Sequence, residues 1–164
     1  MRAVSNTSPL LNLAIVDHLH LLRQQYATLL IPPAVRAELQ VDRRWLGSAR
    51  LRAILAEGWV QVGTPPDPVA VAAFGEHVDL GEAEAIALAL GVGADWLLID
   101  ERDGRALATR LGLRVTGVLG VLLRAKSAGD LDALAPLLGA LQREAGFRVA
   151  PPLRQAVLAA AGEA

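Results

Sequence analysis

Apolar residues along this chain come in short runs, divided by polar, glycine-rich or proline-rich breaks. Five of the runs have the length and β-prone content of strands: Ala3-Val4-Ser5, Thr28-Leu29-Leu30-Ile31, Trp59-Val60-Gln61-Val62, Trp96-Leu97-Leu98-Ile99 and Leu113-Arg114-Val115-Thr116. Longer stretches with helical spacing lie between them. Ser8 can cap a first helix that Pro9 opens, with Leu10, Leu11, Leu13 and Ala14 on its apolar face. A second passes through Leu19, Leu21 and Leu22, and Pro33 opens a third from Ala34 to Leu39. Further helices are predicted from Arg50 to Ala56, Val69 to Phe74, Gly81 to Leu90 and Arg102 to Leu111. After the fifth strand come Val118 to Lys126, Leu131 to Glu144 and Pro152 to Ala160. The segment from Gly81 is the strongest helix: rich in Ala and Leu, acidic in its first turn, stopped at Gly91. Gly63 to Pro68 holds too many prolines for anything but a loop.

Strands alternating with helices predict an α/β fold: a three-layer α/β/α sandwich around a mostly parallel five-stranded sheet with right-handed crossovers. No repeat or linker divides the chain, so a single domain over 1–164 is expected. Such sheets bind ligands beyond the carboxyl ends of their strands. Asn6 and Asp100 fall at two of those ends, and Glu38 and Glu82 lie on helices that can flank the same edge.

Composition narrows the chemistry. With 53% hydrophobic and 20% charged residues the chain is globular, and a net charge of −1 means that any nucleic-acid surface must be local. All 16 basic residues except Lys126 are arginine, the better bidentate partner for phosphate. The absence of cysteine excludes disulfides, thiolate catalysis, zinc fingers and iron–sulfur clusters. No apolar run approaches the ~18 residues of a membrane span and no leader-like stretch opens the chain, which is compatible with a cytoplasmic protein. His18, His20 and His77 show no ligand spacing, and no nucleophilic triad, phosphate loop or dinucleotide fingerprint is present.

What remains is an oxygen-only set, Asn6, Glu38, Glu82 and Asp100, suited to Mg²⁺ or Mn²⁺. Each member also has a plain structural reading. Asn6-Thr7-Ser8-Pro9 can be a helix cap, Glu38 beside Arg36 a solvated helix residue, and Asp100 or Asp103 a cap for the next helix. Glu82 and Glu84 suit the dipole of their helix, although with Asp79 they make a negative cluster that a cation would relieve. Leu131, Leu134, Leu138 and Leu141 form a stripe that favours internal core over an interface.

Several segments resemble the PIN-domain family, in a PIN-like subgroup of uncharacterised proteins related to VapC-type toxin ribonucleases. They are Ser5-Asn6-Thr7-Ser8-Pro9-Leu10, Ile31-Pro32-Pro33-Ala34-Val35, Gly81-Glu82-Ala83-Glu84-Ala85-Ile86, and Leu111-Gly112-Leu113 onward through Thr116-Gly117, Leu119-Gly120, Ala125-Lys126 and Gly129. The resemblance implies a metal-dependent endoribonuclease, a hydrolase of RNA phosphodiesters and the toxin component of a toxin–antitoxin pair. It implies Glu38, Glu82 and Asp100 as catalytic metal ligands for Mg²⁺ or Mn²⁺, with Asn6 as a weak or water-mediated ligand and Asp103 as an extra acid. Thr7 and Ser8 would orient ligands, and Arg102 and Arg105 would grip the RNA backbone. RNA, a small antitoxin protein and a second copy in a homodimer are the implied partners. One departure stands out: the common family pattern has Asp where this chain has Asn6. An amide offers a neutral oxygen and no charge, so metal affinity should fall. The alternative is a catalytically weak or inactive PIN-like domain acting in RNA binding or protein–protein interaction.

Overall fold

Five parallel strands form the middle layer of the computed structural model, which describes residues 1–164: β1 (Arg2–Ser5), β2 (Thr28–Ile31), β3 (Val60–Val62), β4 (Trp96–Leu98) and β5 (Val115–Thr116). Their spatial order is β3-β2-β1-β4-β5, and every pairing is parallel, so the sheet is wholly rather than mostly parallel. The helices are α1 (Thr7–Ile15), α2 (His20–Gln25), α3 (Pro33–Glu38), α4 (Ser48–Glu57), α5 (Pro68–Phe74), α6 (Leu80–Val92), α7 (Arg102–Arg110), α8 (Val118–Ala128), α9 (Ala135–Ala145) and α10 (Pro151–Ala160).

Strand side chains alternate between the two faces. Ala3, Leu29, Ile31 and Leu98 join the larger core, with side chains from α1, α2, α8 and α9. Val4, Leu97 and Ile99 face the other way, into the smaller core under α6 and α7. Both faces are covered, which is why the strands read as continuous apolar runs. The leucine stripe is spent inside the chain: Leu134, Leu138 and Leu141 are buried, and α9 packs on α1.

Several boundaries shift by one to four residues from expectation, and three of the shifts have a clear physical cause. Helix α6 runs through Gly91 and ends at Gly93, whose φ of +60° is left-handed. A Cβ on Gly91 would meet Pro66 Cγ at 2.3 Å, so this glycine serves the close approach of the proline-rich loop and does not stop the helix. Helix α9 starts at Ala135, four residues later than predicted, because Pro136 suits the first turn of a helix and not its interior. Helix α1 begins at Thr7 with Asn6 as its N-cap residue, and Ser8 makes no cap bond. No helix is long and apolar enough to cross a membrane.

Candidate active site

The chain builds β1, β2 and β3 outward on one side, then crosses to place β4 and β5 on the other. The order therefore reverses between β1 and β4, and the carboxyl ends of those two strands open into a crevice. Asn6 follows β1, with its backbone N–H bonded to Leu98 O at 2.9 Å. By alternation it shares a face with Val4. On the neighbouring strand, Ile99 takes that face and Glu101 follows it.

This register brings Asn6 and Glu101 together. Asn6 Nδ2 donates to Glu101 Oε2 at 3.0 Å, and Ser8 Oγ donates to Glu101 Oε1 at 2.7 Å. Thr7 Oγ1 donates to Glu38 Oε2 on α3. The first turn of α6 lies against Glu38, since a Cβ on Gly81 would stand 2.5 Å from Glu38 Oε1. A Cβ on Gly104 would likewise stand 2.7 Å from Glu82 Oε1. Two helices can approach these carboxylates only because glycine occupies both positions.

Glu82 is 5% exposed and forms a capping box with Asp79. Its backbone N–H donates to Asp79 Oδ1 at 2.8 Å, and its Oε2 accepts from the Asp79 N–H at 3.0 Å. Its other oxygen, Oε1, is buried with no partner, and so is Oδ1 of Asn6, which is 3% exposed. Burial pushes the Glu82 carboxyl up to about 7; the Asp79 N–H opposes that rise, while the charges of Asp79 and Glu101 add to it. Two buried oxygens without donors are costly, and each is a neutral or anionic acceptor of the kind a hard cation takes. The wall of a cavity of about 600 Å³ carries Glu82, Glu101, His77, Asp79, Arg102 and Asp103; Asn6 lies behind Glu101 and does not line it.

Asp100 is elsewhere. It follows Leu98 on the opposite face, where its carboxylate accepts from the Val118 N–H at 3.1 and 3.4 Å and so caps α8. Burial pushes it up to about 6, against the pull of the Val118 amide and Arg105. With Arg105 it borders a separate cavity of about 500 Å³. Arg105 Nη1 donates to Ile99 O at 2.8 Å. The expectation that Asp100 and Arg105 stand in the crevice is corrected accordingly: Glu101 is the acid that β4 sends there, and of the two arginines Arg102 lines its cavity. Asp100 does cap a helix, but α8 and not α7, whose N-cap residue Glu101 makes no side-chain cap bond. Glu84 leaves the acidic cluster too, accepting from the Ala34 N–H of α3 at 2.7 Å. Sequence reasoning missed Glu101 and the wall position of His77. Strand alternation in the sequence sets Asp100 and Glu101 on opposite faces but does not say which face meets the crevice; nothing in the sequence marks His77.

No three histidine or acidic side chains gather closely enough to cage a metal by themselves. A hard dication such as Mg²⁺ does not require that, because it commonly uses one or two carboxylates, keeps several waters and takes the remaining oxygens from a phosphate. Glu82, Glu101 and the Asn6 carbonyl oxygen suit that mode. A family model described as a PIN domain matches residues 2–163. No curated protein matches the chain.

Proposed function

The chain belongs to the PIN-domain family, and from that premise we propose that it is a metal-dependent endoribonuclease whose site is the crevice between β1 and β4. PIN domains are generally nucleases that use divalent metal ions. The reading rests on one observation: Asn6 Oδ1 and Glu82 Oε1 are buried oxygens that the protein itself leaves without partners.

Glu82, Glu101 and Asn6 would hold Mg²⁺ or Mn²⁺, with Glu38 at the edge of the group. The cation supplies Lewis acidity toward a phosphate ester. The protein supplies the rest. Ser8 and Asn6 fix both oxygens of Glu101, and Thr7 fixes Glu38, so the ligands are oriented before anything binds. Glu82, pushed up to about 7, is part-protonated near neutral pH and would lose that proton to solvent on holding a cation. Arg102 on the cavity wall offers a fork to the phosphate oxygens. Asp103 beside it adds charge without a placed ligand role.

Calorimetry with Mn²⁺ and cleavage of a labelled single-stranded RNA test the site together. Glu82→Gln and Glu101→Gln should lose both signals, and Asp100→Asn should keep Mn²⁺ binding. A wild type that takes up no Mn²⁺ at millimolar concentration and cuts no RNA sinks the reading. The toxin role is a finer step, in which a small antitoxin protein restrains the cleavage; growth arrest on expression, relieved by a short neighbouring reading frame, tests it. Self-association into a homodimer is checked by sedimentation. Asn6 favours one competing reading, an RNA-binding domain that does not cut, because its amide already satisfies one Glu101 oxygen without any metal.

A further inference from the structure

A third cavity lies on the α3 side of the crevice and shares Glu38 with the candidate site. It holds about 270 Å³ and is lined by Leu11, Glu38, Leu39, Gln40 and Trp45. That is slightly below the ~300 Å³ at which sites for drug-sized ligands begin. Leucine side chains and an indole make its walls; a carboxylate and an amide give it a polar edge.

The loop forming this cavity begins at the end of α3, whose C-cap residue is Leu39. Gln40 sits at φ +46°, a left-handed conformation that favours glycine, yet the chain keeps a long amide there. Trp45 is half-buried and anchored by its ring nitrogen, which donates to Leu39 O and Gln40 O, each at 3.1 Å. Anchoring fixes the indole, which packs on the larger core and also lines the cavity. Arg43 and Arg44 on the same loop are exposed, and the three ion pairs of the protein involve neither.

We infer that this cavity is a base-binding subsite for single-stranded RNA, in which one nucleobase stacks on Trp45 with its edge toward Gln40. The inference rests on the nuclease reading, because Glu38 belongs to both the cavity and the candidate active site. Glu38, held by Thr7 beside Asn6, joins the cavity to the crevice, so a strand whose phosphate enters the crevice would pass its neighbouring base toward Trp45. Aromatic stacking with polar contacts to the base edge is how proteins read unpaired RNA. Arg43 and Arg44 supply the phosphate contacts that an extended strand needs beyond the cleaved bond.

Anisotropy with a short labelled RNA in EDTA tests this without requiring cleavage. Trp45→Leu should weaken binding about tenfold or more. Gln40→Gly relaxes the left-handed position, so the fold is kept, and should change the preference among oligonucleotides that differ at one base. An abasic nucleotide at that position should bind wild type and Trp45→Leu equally. If both variants bind every oligonucleotide as wild type does, while wild type still takes up Mn²⁺ and cuts RNA, the base subsite is wrong and the nuclease reading stands. A wild type that binds no RNA in EDTA overturns the base subsite, and the nuclease reading then stands or falls on its own Mn²⁺ uptake and cleavage.

Discussion

Replacing Asn6 by Asp adds the one charge that the common family pattern has and this chain lacks, and the structure fixes what it should cost. Asn6 Nδ2 donates to Glu101 Oε2 at 3.0 Å from a position 3% exposed. The aspartate cannot donate, and it sets a new carboxylate against Glu101, whose charge already acts on Glu82. Loss of a hydrogen bond to a charged group alone costs about 1.5–3 kcal/mol. At ~2–4 °C per kcal/mol for a domain of this size, a loss near 2 kcal/mol lowers Tm in EDTA by about 4–8 °C. Saturating Mn²⁺ should reverse much of this. A new carboxylate beside a dication contributes several kcal/mol even at an effective dielectric of ~20, so tenfold tighter binding, about 1.4 kcal/mol, is a low expectation. Linkage adds that difference to stability when metal saturates both proteins. The Tm gap between Asn6→Asp and wild type should therefore be wide in EDTA, narrow in Mn²⁺, and accompanied by faster RNA cleavage. A gap of the same size in both conditions would refute the placement of Asn6 against the metal.

Other consequences follow from single contacts. Asp100 is held near 6 in the fold against an ordinary 3.8, so its contribution is intact below pH 4 and is lost as pH rises through 6, on the order of 3 kcal/mol. Asp100→Asn keeps an acceptor for the Val118 N–H and removes that loss; its urea midpoint should exceed wild type at pH 7.5 and converge with it near pH 4. Gly104→Ala puts a methyl 2.5 Å from Ile99 Cδ1 and 2.7 Å from Glu82 Oε1. It should cost about 1–3 kcal/mol in chemical denaturation and weaken Mn²⁺ uptake in calorimetry; unchanged metal binding would argue against Glu82 Oε1 as a ligand. Glu163 accepts from the Leu134 and Ala135 N–H groups at 2.7 and 3.0 Å and pairs with Lys126 at 3.5 Å. Glu163→Ala should speed hydrogen exchange at those two amides and leave the sheet amides protected.

The order of elements and the class of fold were legible because each side chain's burial follows a local period. Runs such as Leu97–Ile99 read as strands under two covered faces, and the Ala-rich stretch after Gly81 reads as a helix wherever it packs. Glu38, Glu82 and Asn6 could be picked out for the same reason: each sits at an element's end, where polar groups approach a parallel sheet's edge. What the chain could not disclose locally is which of two adjacent acids enters the crevice. Asp100 and Glu101 are neighbours in sequence, and strand alternation turns them to opposite faces, one to the N-terminus of α8 and the other to Asn6 and Ser8. Nor could it show that Gly91 admits Pro66 instead of ending a helix, or that Gln40 and Trp45 frame a cavity beside Glu38. Periodicity is written within a few residues of one another. Convergence of atoms from residues 6, 38, 82 and 101 depends on strand order and register, which only the packed sheet decides.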